Sequence, residues 1–309
     1  MSAIEVVGLG RKFGSFQAVQ DVSFTVEPGE IFGYLGANGA GKSSTIRMLC
    51  GLLAPSSGRA TVAGHDVADS PDRVKESIGY MSQKFSLYLD LPVRENLRFF
   101  GGAYGLSGKA LAARMDELIE ECDLRGLEGA LTGALPGGTR QRLALGCALL
   151  HRPKVVFLDE PTACVDPKAR RLFWRMIRGL SAQGTTVFVT THYLDEAEYC
   201  ARIGLMSAGR LIALDTPAAL KSRYVPHRVF VLRGGALSGV VAALSTMPGI
   251  LSVEPFGAGL HVQVTESRLS SGDLRERALA AGAKDVVVDT VPPSLEDVFL
   301  AALKQDGSA

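Results

Sequence analysis

Short apolar runs, separated by single glycines and polar turns, dominate the first part of this sequence. Residues 4–9 and 19–26 alternate between apolar and polar side chains, and residues 31–35 are apolar or glycine. Alternation with a period of two indicates β-strands, and a continuous apolar run is typical of a strand buried on both faces. A glycine-rich stretch then leads into residues 43–53, which the pattern predicts to be a helix.

Helical and strand-like patterns follow each other in the middle of the chain. Apolar residues recur at three- and four-residue spacings between positions 93 and 122, which predicts helix. Residues 155–158 and 185–190 are β-branched and apolar, as in buried parallel strands. This second strand-and-helix region extends to about residue 221. The pattern as a whole predicts an α/β fold.

The pattern changes after residue 224, and we expect a separate domain at residues 225–309. Its elements are predicted as strands at 228–232, 250–253, 260–264 and 286–288, and as helices at 239–244, 272–281 and 294–303. Ser294 and Asp297 have the spacing of a capping box at the start of the last helix. The domain is predicted to be a small α+β module without a cluster of polar chemistry.

The overall composition disfavours some classes of partner. The 309 residues carry 33 Lys and Arg against 32 Asp and Glu, so no broad positive field favours nucleic acid or an anionic membrane. The length suits two domains, at about 150 residues per domain. Four arginines could suggest a basic patch. We expect instead that they lie on solvated helix faces; they are Arg140, Arg142, Arg170 and Arg171.

Hydrophobic residues make up 47% of the chain, which raises the question of a membrane span. The apolar stretches are far shorter than the ~20 residues that a spanning helix needs. The N-terminal residues lack the basic and then apolar profile of a signal peptide. The cysteines at positions 50, 122, 147, 164 and 200 contain no C-x-x-C pair, so we expect reduced thiols in a cytoplasmic chain.

A phosphate-binding loop is predicted at residues 36–43. They fit the pattern G-x-x-x-x-G-K-[ST], directly after a predicted strand and directly before a predicted helix. The glycines let successive backbone N–H groups point at phosphate oxygens, and the helix N-terminus adds partial positive charge. Lys42 can then reach the β- and γ-phosphates of a nucleotide, and the Ser43 hydroxyl can bind Mg²⁺.

Two adjacent carboxylates follow the predicted strand at residues 155–158. Ligands of an open α/β sheet gather at the carboxyl ends of its strands, where Asp159 and Glu160 are expected. We expect Asp159 to hold the Mg²⁺ that bridges the phosphates and Glu160 to polarise an attacking water. A strand followed by Asp-Glu is common, so the prediction depends on the phosphate-binding loop.

Five segments in register resemble the ATP-binding cassette (ABC) ATPases over about residues 3–220. They are residues 36–43, Gln83, residues 135–142, residues 159–162 and residues 190–192. The resemblance implies a P-loop NTPase: an ABC ATPase domain at residues 1–224, with a mixed-sheet core and a helical subdomain at about residues 84–150. It also implies ATP as the nucleotide and Mg²⁺ as its cation.

The same resemblance implies a role for each matching residue. Glu160 matches the catalytic base, His192 the histidine that contacts the γ-phosphate, and Gln83 the glutamine that contacts Mg²⁺ and the attacking water. The metal set is therefore Ser43, Gln83 and Asp159. The nucleotide-binding set is Phe13, Gly36, Ala37, Asn38, Gly39, Ala40, Gly41, Lys42, Ser43 and Ser44. The family's aromatic at the position of Phe13 stacks on adenine; the alternatives are a core aromatic for Phe13 and an ordinary loop side chain for Gln83.

A family signature segment is matched by Leu135, Pro136, Gly137 and Gly138. In the family it closes over the γ-phosphate of a partner cassette, and Asp166 matches a loop that crosses the same interface. The resemblance therefore implies a second cassette, in a homodimer or a heterodimer. Pro136 replaces the usual serine and offers neither a hydroxyl nor a backbone N–H. We interpret the segment as weakened but functional.

The resemblance implies an ATP-hydrolysing subunit that acts with a membrane-spanning transporter subunit at the cytoplasmic face of the membrane. The Leu-Pro signature variant and the ending at residues 293–300 resemble exporters of drugs, antibiotics or other hydrophobic compounds. An importer subunit and a non-transport ABC ATPase are the alternatives. The module at residues 225–309 is expected to regulate or stabilise the dimer.

Apolar side chains after Gln83 are where the family receives the cytoplasmic helices of its membrane partner. The candidates are Phe85, Leu87, Tyr88, Leu91, Phe99 and Phe100. The alternative is that these residues fill the core of the helical subdomain. Exposed members would mark the docking groove.

Overall fold

Residues 2–83, 86–163, 165–265 and 269–306 are described by the computed structural model, and the chain divides into two units. The first unit runs to Pro217, and the second spans Ala218–Gln305. The sequence predicts the boundary between residues 224 and 225, at the C-terminal end of the helix Pro217–Tyr224. The structure places the boundary at the N-terminal end of that helix. Phe85 and Cys164 lie outside the described residues.

Two sheets contain the strands of the first unit. Strands β1 to β10 are, in chain order, Ile4–Phe13, Phe16–Val26, Ile31–Gly36, Ser57–Val62, His65–Asp66, Ile78–Met81, Val155–Asp159, Thr186–Thr191, Arg202–Ser207 and Arg210–Asp215. An antiparallel sheet has the order β2-β1-β4-β5, and a second sheet has the order β10-β9-β3-β8-β7-β6. All adjacent pairs from β9 to β6 are parallel, while β10 pairs antiparallel with β9. The predicted α/β class is confirmed.

The parallel strands bring four loops to one edge of the second sheet. Every residue of β3, β7 and β8 is buried, as the continuous apolar runs predict. Because neighbouring strands run in the same direction, the loops that follow β3, β8, β7 and β6 emerge side by side. Residues that are far apart in the sequence therefore meet at this edge.

Aromatic rings hold the two sheets of the first unit together. Phe24 of the antiparallel sheet stacks on Phe32 of β3, with ring centroids 5.2 Å apart, and Phe32 stacks on Phe188 of β8 at 5.4 Å. All three side chains are buried. Such pairs contribute about 0.5–1.5 kcal/mol each beyond the burial of their area. This core supports the central strands β3 and β8.

The helices of the first unit depart from the predicted ends where glycines adopt positive φ. Helices α1 to α7 are Lys42–Leu49, Pro71–Ser77, Val93–Ala103, Gly108–Glu121, Gly137–Leu149, Pro167–Ala182 and Leu194–Ala197. The first ends before residue 53 because Gly51 has φ of 67°. Gly105, with φ of 82°, lies in the break between α3 and α4, so the predicted helical region is two helices. No helix within the described ranges has the length and apolar character needed to cross a bilayer.

Polar contacts inside the helical subdomain correct one prediction. Arg142 is buried, and its Nε donates to the carbonyl of Cys122 at 3.0 Å, so this arginine is not on a solvated helix face. Asn96 is also buried and donates to the Thr132 hydroxyl at 2.9 Å. Burial raises the pKa of the Cys122 thiol to about 12. The buried guanidinium satisfies carbonyls at the end of α4 that the helix leaves without partners.

The second unit contains a four-stranded antiparallel sheet with helices. Its strands β11 to β14 are Arg228–Gly235, Ile250–Phe256, Gly259–Val264 and Lys284–Val291, in the order β12-β13-β11-β14. Helices α8 to α11 are Pro217–Tyr224, Ser238–Ser245, Ser271–Ala280 and Leu295–Asp306. The apolar core of the unit contains Leu232, Leu244, Val262 and Leu274. The elements agree with the predicted α+β pattern within a few residues.

A buried polar cluster in this unit was not predicted. His261 Nδ1 lies 3.0 Å from Asp297 Oδ1, and both side chains are less than 5% exposed. The Ser294 N–H donates to Asp297 Oδ2 at 2.8 Å, and the Asp297 N–H donates back to Ser294 Oγ at 3.1 Å, which completes the predicted capping box. The expectation of no polar cluster is wrong because it considered only neighbours in sequence; His261 comes from β13.

Candidate functional site

The phosphate-binding loop leads from β3 directly into α1. Gly41 has φ of 104°, and a Cβ at this position would lie 2.6 Å from the carbonyl oxygen of Ala18. Only glycine fits this backbone, which turns the first N–H groups of α1 towards the open edge of the sheet. The predicted loop therefore has the geometry of an anion-binding helix N-terminus.

Lys42 is held inside this loop. It is 5% exposed, and its Nζ donates to the carbonyls of Gly36 at 2.7 Å and Ala37 at 3.1 Å. Burial lowers the pKa of the Lys42 ammonium, while the carboxylates of Glu160 and Asp159 act in the opposite direction. A buried cation beside free backbone N–H groups is suited to a ligand that carries several negative charges.

The two carboxylates at the end of β7 are positioned by Thr190 of the neighbouring strand. The Thr190 hydroxyl donates to Asp159 Oδ1 at 2.7 Å and accepts from the Glu160 N–H at 2.9 Å. Glu160 has φ of 50°, a left-handed conformation that costs a non-glycine residue about 1–3 kcal/mol. This turn directs the two neighbouring side chains to different partners. Sequence analysis assigned Thr190 to a motif but missed its bridging role.

Three predicted site residues surround the Glu160 carboxylate. Gln83, which follows β6, donates from Nε2 to Glu160 Oε2 at 3.0 Å. His192, which follows β8, lies with Nδ1 3.4 Å from the same oxygen, and Lys42 Nζ lies 3.8 Å from Oε1. Glu160 is 8% exposed. The structure thus brings together one acid and three polar partners from four separate loops.

An open cavity of about 450 Å³ lies over this arrangement. This volume is in the range of sites that bind small ligands. Its lining residues are Phe13, Phe16, Ala18, Asn38, Gly39, Gly41, Lys42, Ser43, Ser44, Gln83 and Glu160. Phe13 is 46% exposed, so it is available for stacking and is not a core aromatic. Phe16, 64% exposed and also in the cavity, was not identified from the sequence.

The oxygen atoms at the cavity floor fit a hard divalent cation. Ser43 Oγ lies 3.5 Å from Asp159 Oδ1, so a hydroxyl and a carboxylate face each other beside the phosphate-binding loop. Mg²⁺ prefers such oxygen ligands and keeps the rest of its shell for water and phosphate. Gln83, the third predicted ligand, directs its amide nitrogen to Glu160 in this structure.

The signature residues lie outside this cavity. Pro136 is the exposed N-cap of α5, with φ of −56°, and the helix begins at Gly137. Leu135 is buried, and a Cβ on Gly138 would lie 2.6 Å from the Cβ of Ala169. The N-terminus of α5 therefore lacks a side-chain cap and packs closely on α6. None of the four signature residues lines the cavity beside Lys42.

Asp166 has a local structural role that the sequence did not reveal. It is the N-cap of α6, and its Oδ1 accepts hydrogen bonds from the N–H groups of Lys168 and Ala169, both at 3.0 Å. The hydrogen bond from Ala169, aided by that from Lys168, lowers the pKa of the Asp166 carboxyl. Asp166 thus stabilises the loop in which the resemblance places an interface residue.

A further carboxylate, Glu196 of α7, is buried near the loops that carry Glu160 and His192. Its Oε2 accepts hydrogen bonds from Thr162 and Thr191, and Arg170 lies beside its Oε1. The prediction that Arg170 lies on a solvated helix face is therefore wrong, because the guanidinium pairs with an acid from another helix. An acidic residue four positions after His192 was the available signal in the sequence.

Part of the predicted docking region is exposed. Tyr88 is 45% exposed and Phe99 is 49% exposed, and their rings meet edge to face with centroids 4.8 Å apart. Phe100 is half-buried beside them, whereas Leu87 is buried in the subdomain. The exposed aromatic cluster is therefore Tyr88, Phe99 and Phe100, and the core alternative holds for Leu87.

Comparisons with known proteins identify the family of this chain. The family model "ABC transporter" matches residues 19–163. The probable multidrug ABC transporter ATP-binding protein YbhF of Escherichia coli (strain K12) is 51% identical over 222 residues, which cover 72% of this chain but only 38% of YbhF. Nod factor export ATP-binding protein I of Rhizobium sp. (strain N33) is 37% identical over 299 residues, covering 96% of both chains.

The fold is also found among solved structures. One described as the ATP binding subunit of an ABC transporter superposes with a TM-score of 0.66 at 30% identity, over 72% of this chain and 93% of that chain. The predicted family and cassette fold are confirmed by these matches. The chain belongs to the ABC transporter family and is similar to its ATP-binding subunits.

Proposed function

We propose that the chain binds Mg²⁺-ATP in the cavity beside Lys42 and hydrolyses it with Glu160 as the general base. The observation that carries this proposal is the convergence of Gln83, His192 and Lys42 on the Glu160 carboxylate. A base must lie within hydrogen-bond reach of the water it activates, and Glu160 faces the cavity above the phosphate-binding loop.

The proposed reaction is an in-line displacement at the γ-phosphorus. Glu160 accepts a proton from a water molecule while the water oxygen forms a bond to the γ-phosphorus. The bond between the γ-phosphorus and the β–γ bridging oxygen breaks, and ADP and phosphate leave. Lys42 and the N–H groups of α1 stabilise the charge on the phosphate oxygens, while Gln83 and His192 orient the water and the γ-phosphate. Mg²⁺, held by Ser43 and Asp159, would neutralise charge on the β- and γ-phosphates.

The proposed working unit contains two cassettes. The N-terminus of α5, with Pro136, Gly137 and Gly138, has no side-chain cap and does not line the chain's own cavity, so it can serve the γ-phosphate of a partner cassette. Proline supplies no hydroxyl there, so the backbone N–H groups of the helix carry this contact. We propose that Asp166 helps by holding the adjacent loop in place.

We further propose that the pair of cassettes drives export through a membrane-spanning subunit at the cytoplasmic face of the membrane. The relatives bear names that refer to multidrug transport and Nod factor export. The exposed aromatic cluster offers an apolar surface for the partner's cytoplasmic helices. Drugs, antibiotics or other hydrophobic compounds are the proposed cargo.

Two measurements test these proposals separately. Release of phosphate from ATP by the purified chain, with and without Mg²⁺, tests hydrolysis; no Mg²⁺-dependent release would contradict it. Co-purification of the intact chain with a membrane protein, followed by transport assays in vesicles, tests export. ATP-driven uptake into the cytoplasmic compartment would instead identify an importer.

A further inference from the structure

The buried carboxylate of Glu196 connects the two loops that carry the proposed catalytic base and the γ-phosphate contact. Thr162, two residues after Glu160, donates from Oγ1 to Glu196 Oε2 at 2.8 Å. Thr191, directly before His192, donates from Oγ1 to the same oxygen at 3.0 Å. Because both hydroxyls donate to the same oxygen atom, this atom fixes the separation between the two loops.

The other side of the carboxylate is tied to α6. Arg170 Nε lies 3.2 Å from Glu196 Oε1, and its guanidinium lies 4.1 Å from the centre of the Tyr193 ring. Asp166 caps the same helix, so the contact also reaches the loop of the proposed dimer interface. Three segments that must keep a fixed geometry during hydrolysis thus meet at one side chain.

The burial of Glu196 makes its carboxylate energetically unfavourable without compensating partners. The residue is 1% exposed, and burying a carboxylate is unfavourable unless hydrogen bonds and a cation compensate. Burial raises the pKa of Glu196, while the hydrogen bonds from Thr162 and Thr191 and the charge of Arg170 oppose the rise. A buried apolar residue could pack in its place, but it could not accept hydrogen bonds from two loops.

The Thr191 hydroxyl transmits this contact to the backbone around His192. While it donates to Glu196, it also accepts a hydrogen bond from the Tyr193 N–H at 2.9 Å. The residues on both sides of His192, Thr191 and Tyr193, are therefore linked by hydrogen bonds to the Glu196 carboxylate. We propose that Glu196 is a positioning residue for ATP hydrolysis, which sets the separation of the Glu160 and His192 loops through Thr162 and Thr191.

This inference rests on the proposed function, because it assigns a role in that same reaction. Glu196 does not line the cavity beside Lys42, so its loss should affect the catalytic step more than nucleotide binding. The test uses Glu196→Gln, which keeps the shape but replaces one carboxylate oxygen by an NH₂ donor. The amide therefore cannot present an oxygen both to the two threonine hydroxyls and to Arg170. Glu198→Gln, at the exposed C-cap of the same helix α7, is the matched control.

In the full chain, we expect Glu196→Gln to lower kcat per nucleotide-binding site at least about tenfold and to change KM for ATP less than about twofold. Counting sites by titration with a fluorescent ATP analogue removes any loss of folded protein. A kcat per site within about twofold of the wild type would overturn the proposal. A wild-type chain without ATPase activity would instead refute the proposed function.

A double-mutant cycle separates positioning from general stabilisation. If Glu196 acts through Thr191, the kcat of the Glu196→Gln, Thr191→Val double variant should match that of the more impaired single variant. If the fold-reduction in kcat of the double variant equals the product of the two single fold-reductions, the two residues act independently, which would contradict the proposal. If Glu196→Gln does not fold, Thr162→Val and Thr191→Val alone provide the test, since each should lower kcat and leave KM unchanged.

The only tryptophan of the chain gives a spectroscopic signal from this place. Trp174 is buried and lines a cavity of about 230 Å³ together with Arg170 and Glu196. Addition of ATP to the wild type is expected to change its emission, and Glu196→Gln should reduce that change while ATP binding persists. An identical response in both proteins would contradict a link between Glu196 and the nucleotide site.

Discussion

The Gln83 side chain donates a 3.0 Å hydrogen bond to the Glu160 carboxylate, although 77 residues separate the two in the sequence. The contact forms because β6 and β7 are parallel neighbours, so the loops that follow them lie side by side. It gives the proposed base a partner that can also hold a water molecule.

Substitution Glu160→Gln should remove the base and leave the shape of the cavity intact. We expect the rate of ATP hydrolysis to fall by about 10²–10⁴-fold, the usual contribution of a general base. ATP affinity should persist, and the variant should accumulate as an ATP-bound dimer in size-exclusion chromatography. Turnover equal to that of the wild type would show that another group activates the water.

Substitution Lys42→Ala should weaken ATP binding itself. The ammonium is buried among backbone carbonyls, where a ligand phosphate would replace part of its contacts, and charged hydrogen bonds contribute about 1.5–3 kcal/mol. Calorimetry should show a rise in Kd for ATP of about tenfold or more. Lys109→Ala, an exposed change on α4, should bind ATP as the wild type does.

Substitution Phe13→Ala tests the aromatic wall of the cavity. Stacking of a base on an aromatic ring contributes about 1–3 kcal/mol, so Kd for ATP should rise roughly tenfold. Phe13→Tyr keeps the ring and should retain affinity. Phe16→Ala shows whether the second exposed ring shares this role; if neither alanine variant alters Kd, adenine binds elsewhere.

Substitution Pro136→Ser should give α5 the side-chain cap that it lacks. A serine N-cap stabilises a helix by about 1 kcal/mol relative to an uncapped end, which thermal unfolding can detect. The new hydroxyl can also reach a partner's γ-phosphate, so ATPase activity should rise with protein concentration more steeply than in the wild type. Increased stability without increased activity would mean that the backbone N–H groups already suffice.

Protonation of Asp297 should loosen the second unit. Burial acts to raise the pKa of Asp297, but the hydrogen bonds from His261 and Ser294 outweigh it and lower the pKa overall. A lowered pKa favours the ionised form in the folded state. The resulting stability is therefore fully present above the ordinary aspartate value of about 3.9 and is lost as pH falls through the folded value.

Asp297→Asn should reproduce that loss at neutral pH. The substitution removes the charge that strengthens the hydrogen bonds from His261 and Ser294, and hydrogen bonds to charged groups contribute about 1.5–3 kcal/mol. Amide hydrogen exchange in β11 and β13 should therefore be faster in the variant, while β3 and β8 are unaffected. Asp285→Asn, an exposed change on β14, is the control. Unchanged protection in β13 would show that the His261 contact contributes little.

The sequence by itself determined the family, the cassette fold and the backbone parts of the site. The loop at residues 36–43 and the carboxylates after β7 could be predicted because both depend on local features: glycines with unusual φ, a helix start and a buried strand. The strands of the second unit were predicted for the same reason. The period-two alternation of a strand can be seen in consecutive residues, so it does not depend on how distant segments pack.

Only the tertiary structure decided which side chains meet. Thr190 bridges Asp159 and Glu160, Glu196 joins two catalytic loops, and Arg142 and His261 are buried with partners that lie 20 to 36 positions away. These contacts depend on strand order and on the packing of one helix against another. A pattern of neighbouring residues carries no information about either, because burial and charge compensation arise only when distant segments come together.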